Sequence, residues 1–391
     1  MNAGEVAVAL AASIRNRYRP ERNNGPRPAG DQQRPAPRRN NGPRPAGEET
    51  PVPETFRVAL TGDFRTPDGR IGWGDIGLSQ LDAAENVSYS FLEDRGAVLQ
   101  PGQLAGVDAL IGLLPRVSAA SLADAADLKV VARFGVGYDN VDVDACTGNG
   151  TLVTITRDAV RRPVASAALA LLLSITHRLP QKDGLVRTGR WHDRLDHMGT
   201  GLTGKVVGFV GWGNTGGELS RLLAPLDVRQ VAHDPYASPE IAAGLGVELR
   251  SLEEVLAGSD VVVIMAALTP QTRGIIGPAE LATMKPTAML VNISRGPLVD
   301  QQALAKALTD GQISGAALDV FADEPVDPAD PILRAPNTLL TPHAACWTDE
   351  LAWNNGTGAI GSVLAVAAGR VPPFVVNPDA LRHPKLAHLA S

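Results

Sequence analysis

From Phe56 onward, short apolar runs alternate with polar, helix-forming stretches. "FRVALTGD" reads as a first strand, and "VDALIGLLP", "LKVVARFG" and "GTLVTIT" follow it. Helix-like segments such as "SAASLADAAD" separate them. Alternation of strand and helix argues for an α/β domain with a parallel sheet. "PVASAALALLLSITHRL" then predicts one long helix, apolar nearly all round, with Pro163 suited to its first turn. Such a helix should be buried between domains or subunits.

A second alternating series starts at Gly204. Its strands read "KVVGFVG", "RQVAHD", "VVVIMA", "AMLVNIS", "SGAALDV" and "NTLLTPH". Six strands with intervening helices are the content of a doubly wound dinucleotide domain. After His343 comes "TDELAWNNGTGAIGSVLAVAAG", with Thr348 as the expected N-cap and acidic residues in the first turn. The division this predicts is a substrate domain over 55–157, completed by 345–391, and a nucleotide domain over 158–344.

The texture before Phe56 is different. "RNNGPRPAG" occurs at 22–30 and again at 39–47. A tail of Pro, Gly, Arg and Asn has little to bury and cannot offset the entropy cost of ordering, so residues 1–54 should be disordered. It is either an arginine-rich arm for something anionic or a dispensable extension.

Composition narrows the class. A chain of 391 residues should hold two or three domains. The net charge of −6 gives no general attraction to nucleic acid or anionic membrane. Cys146 and Cys346 make a disulfide framework unexpected, and their neighbourhoods form no zinc pattern, so no metal is expected. No apolar run approaches the roughly 20 residues of a membrane span. "VAVALAAS" near the start lacks a preceding basic segment. A cytoplasmic protein is expected.

Chemistry enters with Gly211-Trp212-Gly213-Asn214-Thr215-Gly216, a G-x-G-x-x-G between "VVGFV" and "GELSRLLAPL". The strand–turn–helix context gives the pattern its meaning. Gly211 permits the tight turn, Gly213 lets backbone approach a pyrophosphate, and Gly216 lets helix and strand pack closely. Amides at the helix start then face the phosphates. Asp234 ends the next strand, where an acid binds ribose hydroxyls and disfavours a 2′-phosphate. NAD is therefore expected over NADP, although His233 and Arg229 stand nearby in sequence.

Three polar residues follow strands of this series: Arg295 after "LVNIS", Glu324 after "ALDVFAD" and His343 after "LLTP". Ligands bind beyond the carboxyl ends of such strands, so the three should share a crevice. Moving a hydride at an oxygen-bearing carbon needs a proton donor or acceptor, and histidine suits that task. A carboxylate on its other nitrogen sets the tautomer. A guanidinium binds a carboxylate and stabilises alkoxide charge. The plainer alternatives are a packed histidine and a structural ion pair.

With these motifs the sequence resembles the D-2-hydroxyacid dehydrogenase family, from about Phe56 to Pro378. The resemblance runs through "RFGVGYDNVDVDAC", "VGFVGWGNTGGELSRLL", "LTPQTRGII", "MLVNISRGPLVDQQALAKAL", "GAALDVFADEP" and "NTLLTPHAAC". It implies a Rossmann NAD-binding domain beside a flavodoxin-like substrate domain, and a 2-oxo or 2-hydroxy acid as substrate. It implies that Arg295 binds substrate, that Glu324 polarises the histidine and that His343 is the acid/base. Backbone amides of Gly135, Val136 and Gly137 would hold the substrate carboxylate. Asn214 and Thr215 would meet the pyrophosphate. Thr269, Ile293, Ser294 and Asp319 would lie along the cofactor, the last three by the nicotinamide. A homodimer through the long apolar helix is also implied. The chain departs from the family after "PVA", where Ser166 and Ala167 replace a frequent Glu-His. Arg161 and Arg162 precede it, either as solvated charges or as a second anion-binding group. Trp347 either walls the pocket or packs, and Cys346 is a candidate lining residue. Two other readings share the fold: a phosphite- or formate-type anion dehydrogenase, and a non-catalytic NAD-sensing corepressor.

Overall fold

The computed structural model describes residues 55–93 and 96–389. The tandem repeat and the tail expected over 1–54 lie outside the described residues. Two all-parallel sheets account for the α/β alternation. The first holds β1 (Phe56–Leu60), β2 (Val87–Phe91), β3 (Ala109–Gly112), β4 (Val130–Arg133) and β5 (Leu152–Thr154), in the order β2-β1-β3-β4-β5. The reversal of direction falls between β1 and β3, which opens a crevice at their carboxyl ends.

The second sheet holds β6 (Val206–Val210), β7 (Arg229–His233), β8 (Val247–Leu249), β9 (Val261–Ile264), β10 (Met289–Asn292), β11 (Gly315–Leu318) and β12 (Thr338–Leu340). Its order is β12-β11-β10-β9-β6-β7-β8, with the reversal between β6 and β9. β3, β4, β9, β10 and β11 are buried at every residue, as expected for strands covered on both faces.

Two strands escape the apolar pattern. β8 makes seven strands where six are expected. It is a three-residue edge strand that turns Glu248 outward, too short to show a period. β2, also at an edge, alternates intermediate and exposed residues and carries no continuous apolar run. "SAASLADAAD" forms only a 3₁₀ turn at Ala120–Leu122. Its serines explain this. The Ser121 hydroxyl bonds the Leu99 carbonyl and accepts from the Ser118 amide, so local polar groups compete with the helix.

The long apolar helix runs Arg161–Thr176 and breaks at Arg178, which takes a left-handed conformation (φ 52°) before a second helix, Leu179–Arg187. It packs on the helix Asn214–Leu223 and on β10, β11 and β12, so a face of the second sheet buries it. The helix Asp349–Ala367 returns to the first sheet and packs on β3 and β4. Thr348 caps it, accepting from the Leu351 amide, with Asp349 and Glu350 in its first turn. No single helix among the described residues is long and apolar enough to cross a membrane.

Candidate active site

The glycine turn forms as its sequence dictates. Gly211 has φ 82°, and a Cβ there would strike the backbone of Ala266. Gly213 faces open space. At Gly216 a Cβ would lie 3.0 Å from the Trp212 ring, which is why the helix Asn214–Leu223 can sit so close. Thr215 is half-buried in its first turn, and the Asn214 amide reaches Asp158 at 3.4 Å. Asp234 stands one residue beyond β7. Its Oδ2 accepts from the Trp212 amide (2.7 Å) and its Oδ1 from the Tyr236 amide (2.8 Å). The carboxylate is thus fixed beside the turn. Arg229 opens β7 at its far end and pairs with Glu248 at 4.0 Å, away from Asp234. His233 Nδ1 lies 3.3 Å from the Arg250 carbonyl.

His343 occupies the left-handed region (φ 53°). A bulky residue there costs of order 1–3 kcal/mol and must be held by its surroundings. The hold is visible: the His343 amide donates to the Asp319 carbonyl at 2.7 Å. The buried Asp319 carboxylate lies beneath the same turn. Its Oδ1 accepts from the Thr341 hydroxyl (2.7 Å) and the Ala344 and Ala345 amides (2.9 and 3.0 Å). Asp319, expected beside the nicotinamide, also anchors the histidine turn.

That turn aims the ring. His343 Nδ1 lies 2.7 Å from Glu324 Oε2, and the Phe321 amide donates to Glu324 Oε1 at 3.0 Å. A carboxylate accepts only, so Nδ1 carries the proton and Nε2 is the nitrogen left for a ligand. Partial burial pushes the Glu324 carboxyl up, but the bond from His343, the Phe321 amide and the charges of His343 and Arg295 outweigh it. The net direction is below the ordinary carboxylate value.

Arg295 meets the first sheet. Its Nε and Nη2 donate to Asp139 Oδ1 at 3.2 and 3.1 Å, and its Nη1 to the Ser294 carbonyl at 2.8 Å. Asp139 takes one edge of the guanidinium, so the Nη1–Nη2 edge retains N–H groups for a second anion. Gly137 lacks a Cβ where one would collide with that guanidinium. Among the described residues, none accepts from the amides of Gly135, Val136 or Gly137. Beneath them Arg133 is buried, donating to the Gly137 carbonyl at 3.0 Å and to the Gly112 and Leu113 carbonyls. Burial lowers its pKa to about 10, against the pull of Asp139.

Asp139 and Arg133 were not among the expected site residues, although both lie in "RFGVGYDNVDVDAC". The available signal was a pair of opposite charges flanking three consecutive backbone amides. Ile293 is buried, and the Ser294 hydroxyl bonds the Ala266 carbonyl under Gly211. Thr269 donates its amide to the Thr272 hydroxyl at 2.8 Å in an exposed turn. Arg161 and Arg162, about half-exposed, are not simply solvated. Both pair with Glu218 on the glycine-turn helix, at 3.7 and 2.9 Å, with Arg221 as a third cation. Cys346 packs beside the core, and burial with the Asp319 charge pushes its thiol up to about 11, which leaves little thiolate.

The arrangement can bind a carboxylate beside a proton-carrying histidine, next to a turn shaped for a dinucleotide. Comparison with known proteins supplies the family. Residues 169–345 match the model "D-isomer specific 2-hydroxyacid dehydrogenase, NAD binding domain". The chain is 42% identical over 261 residues to the D-3-phosphoglycerate dehydrogenase of Mycobacterium tuberculosis, a match covering 67% of this chain and 49% of that protein. The chain therefore spans about half the length of that relative. It is 38% identical over 283 residues to the glyoxylate reductase of Aeropyrum pernix, covering 70% of this chain and 84% of the reductase. The crystal structure of the TT0316 protein from Thermus thermophilus aligns with a TM-score of 0.73 at 32% identity, over 82% of this chain and 100% of that one. On fold, motifs and coverage, the chain belongs to the D-isomer-specific 2-hydroxyacid dehydrogenase family.

Proposed function

We propose that the chain is an NAD-dependent oxidoreductase that interconverts a 2-oxo acid and a D-2-hydroxy acid. One observation carries this reading: His343 Nδ1 and Glu324 Oε2 lie 2.7 Å apart on the strand-end edge that also bears Arg295. In this reading, 55–157 with 345–391 form the substrate domain and 158–344 the cofactor domain. The chain works as a homodimer through the helix Arg161–Thr176.

The residues fit a dinucleotide. Gly213 leaves room for phosphates, the amides of Asn214 and Thr215 start a helix, and Asp234 offers a fixed acid to the ribose. When bound, the cofactor would supply the hydride as NADH in reduction and accept it as NAD+ in oxidation. The chain's own groups do the rest. The free amides of Gly135, Val136 and Gly137 and the outer edge of Arg295 hold the substrate carboxylate. His343 Nε2 gives a proton to the carbonyl oxygen in reduction and removes it from the hydroxyl in oxidation. Glu324 keeps the proton on Nδ1 and offsets the charge of the protonated ring. Arg295 also stabilises the developing alkoxide.

An NADH-oxidation screen with 2-oxo acids tests the reading, with phosphite and formate assayed for NAD reduction. Turnover of phosphite or formate alone would move the chain to the anion-dehydrogenase reading. NADH binding without turnover of any of them would favour a sensor.

Two further results are expected. Asp234→Ala weakens NADH binding by about tenfold while NADPH changes little or tightens, because the carboxylate bonds hydroxyls and repels a 2′-phosphate. Titration of both cofactors by fluorescence checks it, and an unchanged preference ratio would assign cofactor choice elsewhere. Asp139→Asn removes the charge that holds one edge of Arg295. The guanidinium then loses its aim, and KM for the 2-oxo acid rises by roughly 5–30-fold, more than kcat falls. Asp139→Ala should cost more than Asp139→Asn, since the amide still accepts a hydrogen bond.

A further inference from the structure

We propose that the substrate's substituent is apolar and of aromatic size, received by a wall made of Trp347, Trp73 and Leu114; this rests on the 2-oxo-acid reading of the site. The wall is continuous with the core. Phe64, fully buried after β1, meets Phe134 edge-on at 4.9 Å. Phe134 meets Trp73 at 5.0 Å, and Trp73 meets Trp347 at 4.3 Å with the rings tilted by 43°. The run passes the site at both ends of its chemistry. Phe134 directly precedes Gly135, and Trp347 closes the turn that leaves His343, donating its amide to the Ala344 carbonyl at 2.9 Å. Trp347 remains 47% exposed, so about half of it is open to a ligand.

Leu114 belongs to the same edge. It follows β3, beside the loops after β1 and β4, and is 63% exposed. An exposed leucine alone means nothing. This one is fixed by polar groups on both sides of its peptide. Asp63 Oδ2 accepts from the Leu114 amide at 2.8 Å. Asn140 donates to the carbonyls of Leu113, Leu114 and Pro115 at 3.2, 3.0 and 3.3 Å. The loop holds the leucine exposed rather than folded in, beside Asn140, the chain neighbour of Asp139.

The wall itself offers no cation to a second anion: Trp347, Trp73 and Leu114 are apolar. Asp139, its side chain 56% exposed beside Arg295, adds negative charge at the mouth. A phosphate or second carboxylate on the substrate would meet indole, leucine and that acid. An apolar pocket discriminates by roughly 10–200-fold for each methylene-sized group it gains or loses.

The test uses the full chain with NADH and compares kcat/KM for phenylpyruvate, 4-methyl-2-oxopentanoate, glyoxylate and 3-phosphohydroxypyruvate. The expected result is that phenylpyruvate exceeds glyoxylate and the phosphorylated acid by at least about tenfold. Trp347→Ala and Leu114→Ala should each lower the phenylpyruvate-to-glyoxylate ratio by about tenfold or more, and Trp347→Phe should restore most of it. Tryptophan-independent NADH binding, followed by cofactor fluorescence, shows that the variants are folded. A glyoxylate or 3-phosphohydroxypyruvate preference, or a ratio that Trp347→Ala leaves unmoved, overturns the proposal while the 2-oxo-acid reading stands. No turnover of any of the four overturns both.

Discussion

His343→Ala should lower kcat by at least ~10²-fold and leave NADH affinity little changed. General acid catalysis is typically worth about 10²–10⁴-fold and acts mainly in the transition state. The glycine turn and Asp234 lie on other loops and do not depend on the ring. Stopped-flow reduction with separate NADH titration checks both halves. A near wild-type rate would make the histidine a packed residue. The expected drop has a pH-dependent companion in Glu324→Gln. The Glu324 carboxyl is held below its ordinary value of 4.5 in the fold. A depressed folded pKa contributes stability above the unfolded value and loses it as pH falls through the folded one. The melting temperatures of wild type and Glu324→Gln should therefore differ near pH 7 and converge below pH 4.5. Parallel curves down to low pH would mean that the pair makes no ionisation-linked contribution.

Arg295→Gln should lower kcat/KM by about 10²–10³-fold, the usual loss for one donor to a developing oxyanion. The reason is geometric as well as electrostatic. Asp139 and the Ser294 carbonyl hold the guanidinium in one plane, with its outer edge free beside the amides of Gly135, Val136 and Gly137. Lysine keeps the charge but has no planar fork, so Arg295→Lys should recover less than about a tenth of the lost activity. Steady-state kinetics with a monocarboxylate substrate decide it. Full recovery by lysine would reduce the role of Arg295 to a point charge. Loss of folding instead of activity would make the Arg295–Asp139 pair structural, and the melting temperature separates those outcomes.

Much of this architecture could be read along the chain because its elements are local. Strands buried on both faces show as unbroken apolar runs, so β9, β10 and β11 are legible in "VVVIMA", "AMLVNIS" and "SGAALDV". Gly211 declares a turn because its positive φ and the Ala266 backbone leave no room for a Cβ, and Thr348 declares a helix start for a similarly local reason. β2 and β8 give no such signal, because β2 alternates intermediate and exposed residues and β8 is only three residues long.

The sequence by itself determined the fold class, the nucleotide turn and the three residues at the strand ends. Tertiary structure decided which groups face one another. Asp139 and Arg295 are 156 positions apart, and their ion pair exists only because two sheets present their carboxyl edges to a common crevice. Glu218 gathers Arg161, Arg162 and Arg221 around one carboxylate, a grouping no local pattern records. Asp319 anchors the His343 turn because β11 and β12 are neighbours, so its carboxylate lies under the amides of Ala344 and Ala345. Side-chain pairing across a fold depends on distance in space and on what else competes for each charge, and the order of residues along the chain carries neither.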